Sequence, residues 1–212
     1  MGSRNYQGLK SFLSSEEREK VLDYVNFLKL DFIPSNPHLK ELIGKLNGMS
    51  YMFDLSRNEI SSKISDYQSS GSTLDLELPP VFHQIAQHIA DTMNISNKNS
   101  FLQIVNMNEG GIIGPHYDAS FDGYINYKCN ISVLSETYDF RVDDELIAVE
   151  EGDLYCFEAS LYKHWTPNPF SSRRVLLSFG FMLEYADLGR SPKDPRVRLS
   201  KRIEKYFQNR RS

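Results

Sequence analysis

Apolar residues recur at helical spacing in the first half of the chain and at strand spacing in the second, with the change of period falling after Asn94. Ser14 and Glu17 make a Ser-x-x-Glu capping box ahead of Val21, Leu22, Tyr24, Val25 and Leu28, which predicts an amphipathic helix over residues 15–29. A second helix is predicted from near Pro37, with Leu39, Leu42, Ile43 and Leu46 on one face. Residues 56–75 are rich in Ser, Asp and Asn with weak periodicity, the pattern of a surface loop or hairpin. From Pro79 and Pro80 a third helix runs through Val81, Phe82, Ile85, Ala86, Ile89, Ala90 and Met93, with its prolines in the first turn.

Between Phe101 and about Leu183 the chain reads as short strands broken by turn residues: FLQIVNM, IIGPHYD, YKCNISVL, DFRV, ELIAV, DLYCFEA and RVLLSFGFML. Glu150, Glu151, Gly152 and Asp153 form a turn between two of them. Helices first and many strands afterwards predict an α+β domain, a sheet-rich barrel or sandwich backed by N-terminal helices. We therefore expect one domain over 1–189, with a helical lead-in over 1–95 and a barrel core over about 101–183.

Composition narrows the class. At 212 residues and 40% apolar content the chain suits one core better than two. No apolar run approaches the ~18 residues of a membrane span, and the start lacks a leader's apolar block, so a soluble, monomeric, cytoplasmic protein is expected. Cys129 and Cys156 belong to no CxxC pair, which removes a disulfide framework or a zinc-thiolate site from consideration. Charge is unevenly spread: residues 190–212 carry nine Lys/Arg against Asp194 and Glu204, leaving an acidic body within a net charge of -4. That basic tail reads as a short helix, either plainly solvated or contacting nucleic acid or another acidic partner.

The chemistry concentrates in three residues. His116 and Asp118 lie two apart in a predicted strand, so both side chains share a face. His164 follows 48 positions later, where a barrel can bring it opposite the pair. Two imidazoles and one carboxylate form the facial set that leaves positions open on a non-haem Fe(II). Arg174 adds weight, being a charge in the otherwise apolar strand RVLLSFGF, and an inward arginine there needs an anion such as a dicarboxylate co-substrate. Arg173 points to the opposite face of an ideal strand, although a bulge would exchange the two. His38, His83 and His88 read as ordinary structural or surface residues, and the pair Asp153 and Glu158 as a turn residue and a strand end.

These residues resemble the Fe(II)/2-oxoglutarate dioxygenases, most nearly their AlkB-like members. The likeness covers roughly 101–183 and rests on Asn106 to Gly111 before the first ligand, the block GPHYD, the stretch EEGDLYCFEASLYKH and the arginine opening the last strand. It implies a double-stranded β-helix of the jelly-roll or cupin-like kind. It further implies that His116, Asp118 and His164 hold iron and that Arg174 pairs with the distal carboxylate of 2-oxoglutarate. Asn106 and Asn108 are further candidates for the co-substrate, Asn108 standing where a tyrosine is common. Gly180 stands where AlkB-like nucleic-acid demethylases usually carry a second arginine. The implied reaction consumes O2 and 2-oxoglutarate, with ascorbate as the reductant in vitro, and hydroxylates or oxidatively demethylates its substrate. Three outcomes stay open: a nucleic-acid base as substrate, a protein side chain, amino acid or small metabolite as substrate, and a non-enzymatic barrel.

Overall fold

The computed structural model describes residues 5–28, 48–56, 77–121, 123–199 and 201. The predicted helix near Pro37, the 56–75 loop from residue 57 onward and most of the basic tail lie outside them. Among the described residues, no helix is long and apolar enough to cross a membrane.

Among the described residues two long helices flank the strands, and residues 195–199 of the tail are helical as well. Helix α1 (Ser15–Phe27) starts where the sequence predicts, with Ser14 Oγ accepting from Glu17 N at 3.3 Å and the Ser14 N–H donating to the Glu17 carboxylate at 3.0 Å. Ser14→Ala is expected to lower stability by about 1 kcal/mol, read as a shifted urea midpoint at unchanged slope. Helix α2 (Pro80–Met93) has Pro80 in its first turn, where the missing N–H costs nothing, and ends on Asn94 in the left-handed conformation.

Among the described residues nine strands follow the order β1 (Tyr6–Leu9), β2 (Gly48–Asp54), β3 (Ser100–Met107), β4 (Tyr124–Leu134), β5 (Tyr138–Val142), β6 (Glu145–Val149), β7 (Leu154–Glu158), β8 (His164–Trp165) and β9 (Arg174–Glu184). They form a six-stranded sheet β1-β7-β4-β9-β3-β2 and a three-stranded sheet β6-β5-β8, antiparallel at every pairing. From β3 onward the chain passes back and forth between the two sheets, so strands distant in sequence face each other across one interior.

The large sheet is covered on both faces. Tyr127, Cys129, Ile131 and Val133 of β4, with Leu177 and Phe179 of β9, pack against Val21 and Val25 of α1 and Phe82, Ile85 and Ile89 of α2. Alternation places Asn126, Lys128, Asn130 and Ser132 on the other face of β4, and all four are buried. A buried polar stripe of this kind belongs to a site rather than to a packing core.

Two parts of the sequence reading change. The edge strands β1 and β2, which close the large sheet at its two ends, were not anticipated. The segment IIGPHYD forms no strand, only an isolated bridge between His116 and His164. Pro115 has no N–H to give to a ladder, which breaks regular pairing there.

Candidate metal centre

Segment 110–118 is held by scattered backbone bonds to 159–170 instead of a continuous ladder. Gly110 N donates to Phe170 O, Thr166 N to Ile113 O, and His116 and His164 exchange both of their N–H···O bonds. Thr166 Oγ1 also accepts from Ile113 N at 2.9 Å, and Asp118 N donates to Ala159 O. On the other side β8 pairs Val142 with His164 and so ties the second histidine to β5.

This framework brings together the three residues singled out by the sequence. Their ligand atoms all lie within 4.8 Å of one another. His116 Nε2 is 3.4 Å and His164 Nε2 is 3.9 Å from Asp118 Oδ1, and the two imidazole centroids are 4.1 Å apart. Each imidazole is fixed from behind: His116 Nδ1 lies 2.8 Å from Gly114 O and His164 Nδ1 3.1 Å from Tyr162 O. A carbonyl accepts only, so Nδ1 carries the proton and Nε2 presents a lone pair, the usual way an imidazole is prepared for a metal.

Electrostatics act in the same sense. Burial, with help from the neighbouring His116, pushes the His164 pKa down to about 3, so that imidazole is neutral at ordinary pH. Burial works against the charge of Asp118 too, but the Lys128 ammonium and the two histidines outweigh it and hold the carboxyl well below its usual range. At His116, which is 44% exposed, partial burial opposes the cation while Asp118 favours it, with a net upward shift. The set therefore offers the anionic oxygen of Asp118, the neutral Nε2 of His164 and the Nε2 of His116, a combination suited to Fe(II), Zn(II) or Mn(II).

Arg174 begins β9 and is fully buried. Its guanidinium lies between the rings of Tyr138 at 3.9 Å and Phe170 at 4.5 Å, while Nη2 donates to the hydroxyls of Tyr138 and Tyr155. Nε and Nη1 are buried with no hydrogen-bond partner. A cavity of about 210 Å³, lined in part by Ser135, Tyr138, Asn168 and Phe170, opens onto Arg174. A buried cation with spare donors beside a cavity is arranged to take an anion.

The remaining candidates lie elsewhere. Arg173 faces outward, donating to Asn106 Oδ1 at 3.0 Å and Asn26 Oδ1 at 2.9 Å, so Asn106 is on the face opposite Arg174. Asn108 is exposed in the turn after β3, its carbonyl accepting from Gly111 N. Neither is brought to the three-residue cluster. Asp153 is tied to the N–H groups of Ser11 and Glu150, Glu158 to Arg190, and His88 stacks on Phe12. At Gly180 a Cβ would meet the Phe101 ring at 2.0 Å, so the place of a second arginine is filled by an aromatic side chain. The sequence reading passed over Lys128, whose ammonium is 3.4 Å from Asp118 Oδ2.

No family model matches the chain, and no curated protein matches its sequence. Solved structures do match. A viral collagen prolyl hydroxylase from Paramecium Bursaria Chlorella virus-1, solved as its 2-oxoglutarate complex, superposes with a TM-score of 0.53 at 14% identity, over 84% of this chain and 95% of that one. A prolyl-4-hydroxylase from Pseudomonas putida gives 0.55 at 12% identity, over 84% and 93%. HygX from Streptomyces hygroscopicus, with nickel and 2-oxoglutarate bound, gives 0.53 at 12% identity, over 83% and 82%. The chain shares their fold. At such identities the likeness establishes architecture only.

Proposed function

We propose that this chain is an Fe(II)- and 2-oxoglutarate-dependent hydroxylase on a double-stranded β-helix. Residues 1–189 form its single catalytic domain and 190–212 a basic appendage. His116, Asp118 and His164 hold the iron, and Arg174 takes the distal carboxylate of 2-oxoglutarate. The observation that carries this reading is the occurrence together of two features: a two-histidine, one-carboxylate cluster with both imidazoles anchored through Nδ1, and a fully buried guanidinium with two nitrogens unpartnered among the described residues. The fold relatives solved with 2-oxoglutarate and metal add support.

Iron and 2-oxoglutarate bound there supply the O2-activating chemistry, with the co-substrate leaving as succinate and CO2. The protein's part is to orient and to exclude water. The carbonyls of Gly114 and Tyr162 fix the imidazole tautomers, while Tyr138, Tyr155 and Phe170 enclose the Arg174 charge. Ligands anchored in this way keep their geometry without reorganising.

For the substrate we favour a protein side chain, an amino acid or another small molecule over a nucleic-acid base. Phe101 occupies the space above Gly180, and residues 1–189 are acidic and poorly suited to a polyphosphate. Prolyl hydroxylases and an enzyme solved with hygromycin B among the fold relatives agree with this choice. The test is succinate release under air from protein supplied with Fe(II), ascorbate and 2-oxoglutarate, with peptide pools, single-stranded DNA and RNA as competitors. Turnover is expected in wild type, none in His116→Ala, and stimulation by peptides or small molecules alone. Stimulation by nucleic acid would restore the AlkB-like reading. A wild type that binds neither metal nor 2-oxoglutarate would leave a non-enzymatic scaffold.

A further inference from the structure

Among the described residues Lys128 is the only buried lysine, 4% exposed on the inner face of β4. Its ammonium lies 3.4 Å from Asp118 Oδ2 and donates to Gln103 Oε1 at 3.2 Å and Ser178 Oγ at 3.1 Å. Of the three N–H donors of an ammonium, two are engaged by Gln103 and Ser178, and the charge lies at ion-pair distance from the Asp118 carboxylate, on which it acts. The carboxylate is correspondingly divided, with Oδ1 facing both histidine Nε2 atoms and Oδ2 facing Lys128.

We propose that Lys128 is a positioning residue that holds Asp118 Oδ2 away from the metal, so that the carboxylate offers Oδ1 alone. This rests on the metal reading above. Two nitrogens and one oxygen leave three octahedral positions open, enough for a chelating 2-oxo acid and O2. A carboxylate free to turn both oxygens inward takes one of those positions.

The seat of Lys128 is itself built. Gln103 donates from Nε2 to Ser50 Oγ at 2.8 Å, which turns its acceptor end toward the ammonium. Gly180 pairs in register with both Lys128 and Phe101. Having no Cβ, it admits the Phe101 ring, whose centroid lies 5.1 Å from the Lys128 ammonium. A side chain at 180 would displace that ring and, through it, the cation.

The experiment uses the full chain as wild type, Lys128→Met, Lys128→Arg and Gly180→Ala. Co(II) alone is titrated first, followed by visible spectra and 2-oxoglutarate titration of the loaded protein without O2. Lys128→Met is expected to bind Co(II) at least as tightly as wild type, because a repelling charge is gone. Its ligand-field spectrum should change, and 2-oxoglutarate affinity should fall about ten- to hundred-fold. Lys128→Arg should restore most of that affinity, and Gly180→Ala should shift both readouts in the direction of Lys128→Met. The proposal is overturned if Lys128→Met keeps the wild-type spectrum and 2-oxoglutarate affinity. It is equally overturned if that variant folds but loses Co(II) and 2-oxoglutarate together, since a packing role then suffices. Should Lys128→Met not fold, an unchanged spectrum and 2-oxoglutarate affinity in Gly180→Ala overturns it. A wild type that takes up no Co(II) removes the metal reading itself, a different and separately visible failure.

Discussion

Arg174→Met is expected to weaken 2-oxoglutarate binding at least about thirty-fold while leaving the ligand-free protein at least as stable as wild type. The two effects have opposite signs because the arginine is arranged for a partner that the protein itself does not provide. Its charge is fully buried, two ring faces and two phenols surround it, and Nε and Nη1 donate to nothing. A buried donor left unmade costs on the order of 1–3 kcal/mol, a cost that methionine removes while filling most of the same volume. Losing a buried charged partner weakens binding by about 2–5 kcal/mol, at least about thirty-fold in affinity. Calorimetry on Co(II)-loaded protein and thermal melts with and without 2-oxoglutarate measure both quantities. Wild type should gain melting temperature on adding 2-oxoglutarate, and the variant should gain less. Equal affinity in the two proteins would show that the carboxylate lies elsewhere.

Much of this arrangement is legible in the chain because it rests on short-range pattern. β3, β4 and β9 are strands rich in apolar residues, and α1 and α2 announce themselves by a capping box and by prolines at a first turn. Arg174 was visible as a charge in an apolar strand, and alternation separated it from Arg173. What alternation does not reveal is where a polar face points. In YKCNISVL the set Lys128, Asn130 and Ser132 looks like a solvent face, because its burial comes from segments distant in sequence, Lys128 meeting Gln103, Ser178 and Asp118. Lys128 was missed for that reason. The same parity places Asn106 on the outer face with Arg173, so its position near the first ligand in sequence did not become nearness in space. The edge strands β1 and β2 owe their pairing to β7 and β3 and had little local signal of their own.

Asp118→Ala is expected to be the most damaging single substitution at the centre, and the double variant Asp118→Ala/Lys128→Met to separate its two effects. Asp118 has two tasks, one oxygen toward the histidines and the other toward Lys128. Its removal deletes the carboxylate of the proposed metal site and leaves a buried ammonium with only the neutral oxygens of Gln103 and Ser178. Breaking a buried ion pair from one side costs about 3–5 kcal/mol, whereas replacing both members with apolar groups is often neutral. Urea denaturation should therefore show a large loss in Asp118→Ala that is mostly recovered in the double variant, while Co(II) binding stays absent from both. Acid unfolding supplies an independent check with a fixed sign. The Asp118 carboxyl is depressed in the folded protein from its ordinary 3.8, so its contribution is complete above that value and declines as pH falls toward the folded value. The double variant lacks the contribution and should lose less stability below about pH 4 than wild type. If the double variant is as unstable as Asp118→Ala, the ion pair does not account for the loss, and Asp118 stabilises the site through its backbone and packing instead.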